Sequence, residues 1–252
     1  SFAALPLSTK DVDIPYFVQK KIGNHYLLLM AEGGSDYNHA VTALTAKSLW
    51  GPYVPCTINP VLTHRHLGKD YPVQSLGHAD LVQTPTGDWY AVFLGKRIVE
   101  GGLVPLGRET FLCEVSFQNG EPIFNPGIGV IGNRLKRPLL PWTPVSKTDK
   151  QNDFESSALS PEWATMRIPE QPLHHFADGN LFLSLRPEMA DSLVCPSMLL
   201  HRVHSHNFSA ITTMTFSTCQ ANEWAGLVLY RTAKGYYSLL KGKNEIRLTI
   251  DK

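Results

Sequence analysis

The chain of 252 residues is long enough for one large domain or two smaller ones, and its hydrophobic share of 43% is ordinary for a folded protein. Lys plus Arg (23) nearly balances Asp plus Glu (22), with no long run of one sign, so charge points to neither a nucleic acid nor a membrane surface as partner. No apolar stretch approaches the roughly 18 residues of a membrane-spanning helix, and the opening SFAALPLSTKD lacks the basic start and apolar run of a signal peptide.

Taken in order, the first ~140 residues read as short strands separated by turns, the pattern of an all-β sandwich, barrel or propeller. Tyr16 to Lys20, His25 to Met30 and Ala40 to Ser48 form one meander, with Ile22-Gly23-Asn24 as a turn. Asp80 to Thr84 and Trp89 to Gly95 form the next, joined through Pro85-Thr86-Gly87-Asp88, which has turn chemistry. Gly107 to Phe117 opens a third, with Gln118-Asn119-Gly120-Glu121 as its hairpin turn. No 3.6-residue apolar period is sustained, so helices should be few.

Pro138 to Asp153 is rich in proline and charge and reads as a linker. Beyond it, strands are expected at Leu181 to Leu185, Met198 to Val203, Ala210 to Phe216, Leu227 to Tyr230, Tyr236 to Leu240 and Ile246 to Ile250. The alternation of Leu181, Leu183 and Leu185 with Phe182, Ser184 and Arg186 predicts a sheet with two distinct faces. Trp89 and Tyr90 read as core of the first region, and Phe154 and Trp163 as core of the second.

Four cysteines (Cys56, Cys113, Cys195, Cys219) form no CxxC pair, which argues against a zinc knuckle. A Cys195–Cys219 bridge is one arrangement; buried free thiols fit the wide spacing better. His64-Arg65-His66, His174-His175 and the group His201, His204 and His206 lack HExxH spacing or a cysteine partner, so they read as surface or edge-strand histidines. Asn207-Phe208-Ser209 is a glycosylation sequon, a short triplet that also arises by chance.

Three segments carry polar residues beside glycine at strand ends: Ala31-Glu32-Gly33-Gly34-Ser35, Gly77-His78-Ala79-Asp80-Leu81-Val82-Gln83-Thr84 and Gly107-Arg108-Glu109-Thr110. They recur every 30 to 45 residues or so, the period of a β-propeller blade. Together they resemble family 43 glycoside hydrolases of the β-xylosidase and α-L-arabinofuranosidase type, over almost the whole chain from about Lys10 onward. The resemblance implies an all-β fold: residues 1–140 as blades three to five of a five-bladed propeller, 141–153 as linker, and 154–252 as part of a concanavalin-like β-sandwich.

That resemblance also implies inverting hydrolysis of xylosyl or arabinofuranosyl residues in xylan fragments, with a xylo-oligosaccharide or arabinosyl substrate and no nucleic acid or membrane partner. Such enzymes need an acid carboxyl and a base carboxylate roughly 6.5–9.5 Å apart. The family's acid sits in a motif like K-D-A-E-G-P-H. Here Lys10-Asp11-Val12-Asp13-Ile14-Pro15-Tyr16 aligns with it, and Asp13 replaces the glutamate. The shorter side chain draws the carboxyl back by about 1.5 Å, a misplacement that can cost ~10²-fold in rate. The base and the carboxylate that tunes the acid fall ahead of Ser1 in the family's order, and SFAALPLST offers no candidate for either.

By the same resemblance Ser35, His78 and Arg108 form the substrate subsite. Ser35 offers a hydroxyl, Arg108 a fixed fork of donors, and His78 either meets the sugar or supports a central calcium ion. No organic cofactor is implied, and the family is extracellular, although a cytoplasmic location is also compatible with the sequence. The rival reading is a catalytically inactive homologue that keeps a carbohydrate-binding surface. A protein-binding propeller is the weakest reading, because WD and kelch signatures are absent.

Overall fold

The computed structural model describes residues 17–144, 152–155 and 158–251. The chain divides into two compact units, residues 1–143 and 144–252. Apart from a single 3-10 turn at Glu100–Gly102, the described residues hold no helix, and none crosses a membrane as a long apolar helix would.

The first unit contains two four-stranded antiparallel meanders. One is formed by β1 (Phe17–Ile22), β2 (His25–Glu32), β3 (Ala40–Ala46) and β4 (Val54–Pro55), and the other by β5 (Val73–Gln83), β6 (Trp89–Arg97), β7 (Glu109–Gln118) and β8 (Glu121–Phe124). These are propeller blades: each strand pairs with its sequence neighbour. The expected turns are where the sequence places them, with Gly23 at φ 57° between β1 and β2. Asn119 (φ 55°) and Gly120 (φ 83°) both adopt the left-handed backbone that a two-residue Asn-Gly hairpin requires.

One expectation fails here. The stretch from Gly107 does not open a third meander: Glu109–Gly95 through Val115–Trp89 pair in register, so β7 is the third strand of the second blade. The long β6–β7 connection, with its 3-10 turn, mimicked a blade boundary in the sequence.

The core of the unit lies between the two sheets. Leu27, Leu29, Val41 and Ala43 from the first meet Val73, Leu76, Leu81, Ala91, Phe93 and Cys113 from the second. Period-2 alternation is visible in β2, where Leu27 and Leu29 are buried and Leu28 is only half-buried. Trp89 packs edge-on to Phe117 at 5.7 Å, and Phe93 stacks on Phe111 at 5.9 Å. A second device is His64, 1% exposed: its Nδ1 donates to the Val73 carbonyl at 2.6 Å, and its Nε2 accepts from the Ile131 amide at 3.0 Å.

The second unit carries short strands in three sheets: β9 (Trp163–Thr165) with β12 (Leu199–His201), the hairpin of β10 (His174–Ala177) and β11 (Asn180–Leu183), and β13 (Ala225–Thr232), β14 (Gly235–Lys241) and β15 (Ile246–Asp251). Phe154 and Trp163 are half-buried and form an aromatic cluster with Phe176 and His201. Two expectations do not hold. Residues 210–216 form no strand: they join no ladder among the described residues, and Ile211 is 93% exposed. Nor does the Leu181–Arg186 alternation sort into faces. Phe182, Leu183 and Leu185 are all exposed, so neither face of that stretch is buried.

All four cysteines are free thiols, so the Cys195–Cys219 bridge is not formed. Cys56 and Cys113 are buried, and burial pushes both thiols up to about 12. Because the thiolate is the reactive species, iodoacetamide should label the exposed Cys219 in the native protein and spare Cys56 and Cys113 until the chain unfolds. Peptide mass mapping reads this directly; native labelling of Cys113 would contradict the packing described.

Candidate functional site

The site grows from three connections of the first unit. The β2–β3 loop begins with Gly33 (φ 75°) and Gly34 (φ 67°). A side chain at Gly33 would collide with the Asn38 carbonyl, so the loop closes this tightly only with glycine there. The turn is tied at its far end by the His39 amide donating to Asp36 O at 2.9 Å. It presents Ser35 to solvent. Nothing in this geometry makes a phosphate cradle; the two glycines serve the turn.

From the other blade, Gly107 (φ 69°) turns the chain into β7 and delivers Arg108. The neighbouring Glu109 grips Arg97 of β6 with two hydrogen bonds, at 2.9 and 2.6 Å, which fixes the backbone that carries Arg108. Arg108 Nη1 then donates to Ser35 Oγ at 3.3 Å, joining side chains 73 positions apart in the chain.

His78 arrives by a different route. Between Gln74 and Gly77, three steps on β5 oppose two on β6 (Lys96 to Leu94), and the same happens again between Gly77 and Asp80. Each mismatch is a β-bulge, which re-aims a side chain and bends the strand. Ser75 (φ 58°) and His78 (φ 57°) take the left-handed backbone at these two bulges. His78 thereby leaves the buried register of its neighbours Gly77 and Ala79 and is exposed.

Under this surface lies His39, 4% exposed, with Nδ1 donating to the Ser75 carbonyl at 3.1 Å. Burial holds the His39 imidazole below its usual range, and the nearby charges of His78, Arg108 and Lys96 push the same way. His78 and Arg108 thus share one neighbourhood around His39. Lys96 Nζ pairs with Asp36 at 3.0 Å, and that contact holds the Asp36 carboxyl below the usual carboxylate range. A carboxylate so held is a poor proton donor at neutral pH.

Of the four site residues read from the sequence, Ser35, His78 and Arg108 are brought to one polar surface; Asp13 lies outside the described residues. His39, Lys96 and Asp36 are not among the residues read from the sequence; Asp36 and His39 lie in the polar loop between β2 and β3. Tyr37 of the same loop donates its hydroxyl to the Arg65 carbonyl at 2.6 Å. Among the described residues, no three His, Cys, Asp or Glu side chains come together as metal ligands, so a calcium ion beside His78 would need donors beyond them.

Chemically, the surface is a set of fixed donors: a guanidinium, a hydroxyl, an imidazole and an ammonium. Such a set suits the hydroxyls and ring oxygen of a sugar. Residues 10–122 match Glycosyl hydrolases family 43, and residues 151–250 match the β-xylosidase C-terminal concanavalin A-like domain. A xylosidase/arabinosidase of Butyrivibrio fibrisolvens is 36% identical over 246 residues, covering 95% of this chain and 47% of that protein. A non-reducing end α-L-arabinofuranosidase of Bacteroides ovatus is 36% identical over 229 residues, 90% of this chain and 42% of that protein. The crystal structure of a GH43 protein, BlXynB of Bacillus licheniformis, superposes with a TM-score of 0.78 at 28% identity, covering 94% of this chain and 47% of that one. The chain spans about half the length of the curated relatives it matches.

Proposed function

The chain belongs to glycosyl hydrolases family 43, and on that premise we propose that it serves in the inverting hydrolysis of xylosyl or arabinofuranosyl residues from xylan-derived oligosaccharides. The observation that supports this reading is the Arg108–Ser35 hydrogen bond, which joins two of the three subsite candidates across 73 positions of the chain. In this reading Arg108 and Ser35 bind and orient the terminal pentose, and His78 meets the same ring. Asp13 stands at the position of the acid that protonates the leaving oxygen.

A second reading rests on a specific observation: the chain has aspartate, not glutamate, at the acid position, with Ile14 and Tyr16 replacing the motif's glycine and histidine. On this alternative the chain is a catalytically impaired homologue that retains a carbohydrate-binding surface. Turnover by residues 1–252 alone is expected to be slow at best, because general acid and base groups contribute ~10²–10⁴-fold each.

The experiment is an assay of residues 1–252 with aryl β-xyloside and aryl α-L-arabinofuranoside beside Asp13→Ala, with the anomer of the product followed by NMR. Slow hydrolysis with inversion that Asp13→Ala removes supports the enzyme. Pentose binding without hydrolysis supports the impaired homologue. Neither binding nor hydrolysis overturns both readings.

A further inference from the structure

We infer that His39 is the positioning residue of this site: its buried ring holds the doubly bulged stretch of β5 in the one conformation that presents His78 beside Arg108 and Ser35. The inference rests on the reading of that surface as a sugar subsite, but its structural half can be tested without any sugar.

The backbone supplies the first argument. Ser75 and His78 both adopt left-handed φ angles, 58° and 57°, although neither is glycine. Such residues are strained and persist only where the surroundings over-determine them. Something must therefore hold β5 between Gln74 and Asp80, where its register against β6 slips twice.

The contact itself adds to this. His39 Nδ1 lies 3.1 Å from the Ser75 carbonyl. A carbonyl only accepts, so Nδ1 carries the proton and the tautomer is fixed. The same ring lies flush against Gly77, between the two bulges. A Cβ at Gly77 would collide with His39 Nε2 and both flanking ring carbons, so glycine there is what lets the ring seat. One imidazole thus clamps the first bulge by a hydrogen bond and the link to the second by contact.

A clamp must itself be held, and His39 is. Its amide donates to Asp36 O at 2.9 Å, and its carbonyl accepts from Thr63 Oγ1 at 3.2 Å. Its ring is buried, and the titratable and charged groups acting on it are His78 from β5, Lys96 from β6 and Arg108 at the head of β7. Burial above all, with Arg108 and Lys96 adding to it against the pull of the Ser75 carbonyl, holds the imidazole toward its neutral form. Neutrality leaves Nε2 without a proton where it meets Gly77. His39 therefore touches no substrate; it acts through His78.

The test compares His39→Asn with His39→Leu in the 252-residue chain. Asparagine places an amide N–H near the Nδ1 position and can still donate to Ser75, whereas leucine fills the space and cannot. Two readouts are taken: the backbone amide shifts of Ser75, His78 and Asp80 by NMR, and the Kd for L-arabinose and D-xylose. His39→Leu should move the His78 and Asp80 signals and weaken pentose binding on the order of tenfold, the scale of one hydrogen bond, while His39→Asn recovers most of both. A merely structural role would lower thermal stability in both variants without this split.

Unmoved His78 signals in a folded His39→Leu chain would overturn the inference. Should that variant fail to fold, Gly77→Ala pushes the ring from the other side and must displace the same signals; unchanged signals there count against the inference equally. If the parent chain binds neither pentose, the sugar-subsite reading fails by itself, and the His78 shifts still decide the role of His39.

Discussion

Replacing Arg108 by alanine should weaken pentose binding by one to two orders of magnitude and leave the melting temperature unchanged. Arg108 is exposed and its backbone is held by the Glu109–Arg97 fork, so the side chain contributes little to folding. Its guanidinium, hydrogen-bonded to Ser35 across the two blades, is the strongest donor of the surface. Hydrogen bonds to charged groups are worth about 1.5–3 kcal/mol, which is roughly a 10- to 100-fold change in Kd. Lysine at 108 should recover only part of the loss, because an ammonium cannot supply two parallel donors. Isothermal titration with L-arabinose checks this; a Kd unchanged in Arg108→Ala would remove Arg108 from the site.

The largest effect on stability should come from His64→Leu. The ring satisfies the Val73 carbonyl and the Ile131 amide in a fully buried position, and leucine satisfies neither. Two buried polar groups left unpaired at about 1–3 kcal/mol each give a loss of about 2–6 kcal/mol, measurable as a fall in the urea midpoint. The same geometry sets a pH dependence. Burial holds His64 and His39 below their ordinary range. In the unfolded chain both titrate near 6.5, so the unfolded state takes up protons first as pH falls. The stability they contribute is therefore complete above about pH 6.5 and is lost as pH drops toward the folded values, by up to about 1.4 kcal/mol per unit for each histidine. Protonated His64 could no longer accept from Ile131. Unfolding in urea at pH 7.5 and pH 5 should show this slope in the parent and a shallower one in His64→Leu; equal slopes would mean that His64 is not held neutral.

Much of the first unit was legible because its signals are local. Asn119-Gly120 fixes a hairpin through backbone conformations that other residues avoid, and Gly33-Gly34 marks a turn for the same reason. Ser35, Arg108 and His78 stood out only through the family resemblance of the glycine-flanked segments that carry them. What stayed hidden depends on contacts between distant segments. The bulges of β5 leave no mark in sequence, since Ser75 and His78 hold left-handed angles without being glycine. That is why β5 runs over Val73–Gln83 where only Asp80 to Thr84 was expected. His39 sits in a polar tetrapeptide that resembles a solvent-facing loop, and its burial comes from Gly77, 38 positions away. In the second unit, residues 210–216 have strand-like composition, yet a strand exists only where a partner strand takes its hydrogen bonds.

Central to the proposed function is a subsite for a terminal pentose formed by Ser35, His78 and Arg108. The most direct measurement is an NMR titration of the 252-residue chain with L-arabinose, D-xylose and D-glucose, following assigned amide and side-chain signals. Saturable shifts are expected with a pentose, confined to the Ser35 loop, the His78 bulge and Arg108, with no comparable response to glucose. Shifts elsewhere in the chain, or none with either pentose, would contradict that subsite.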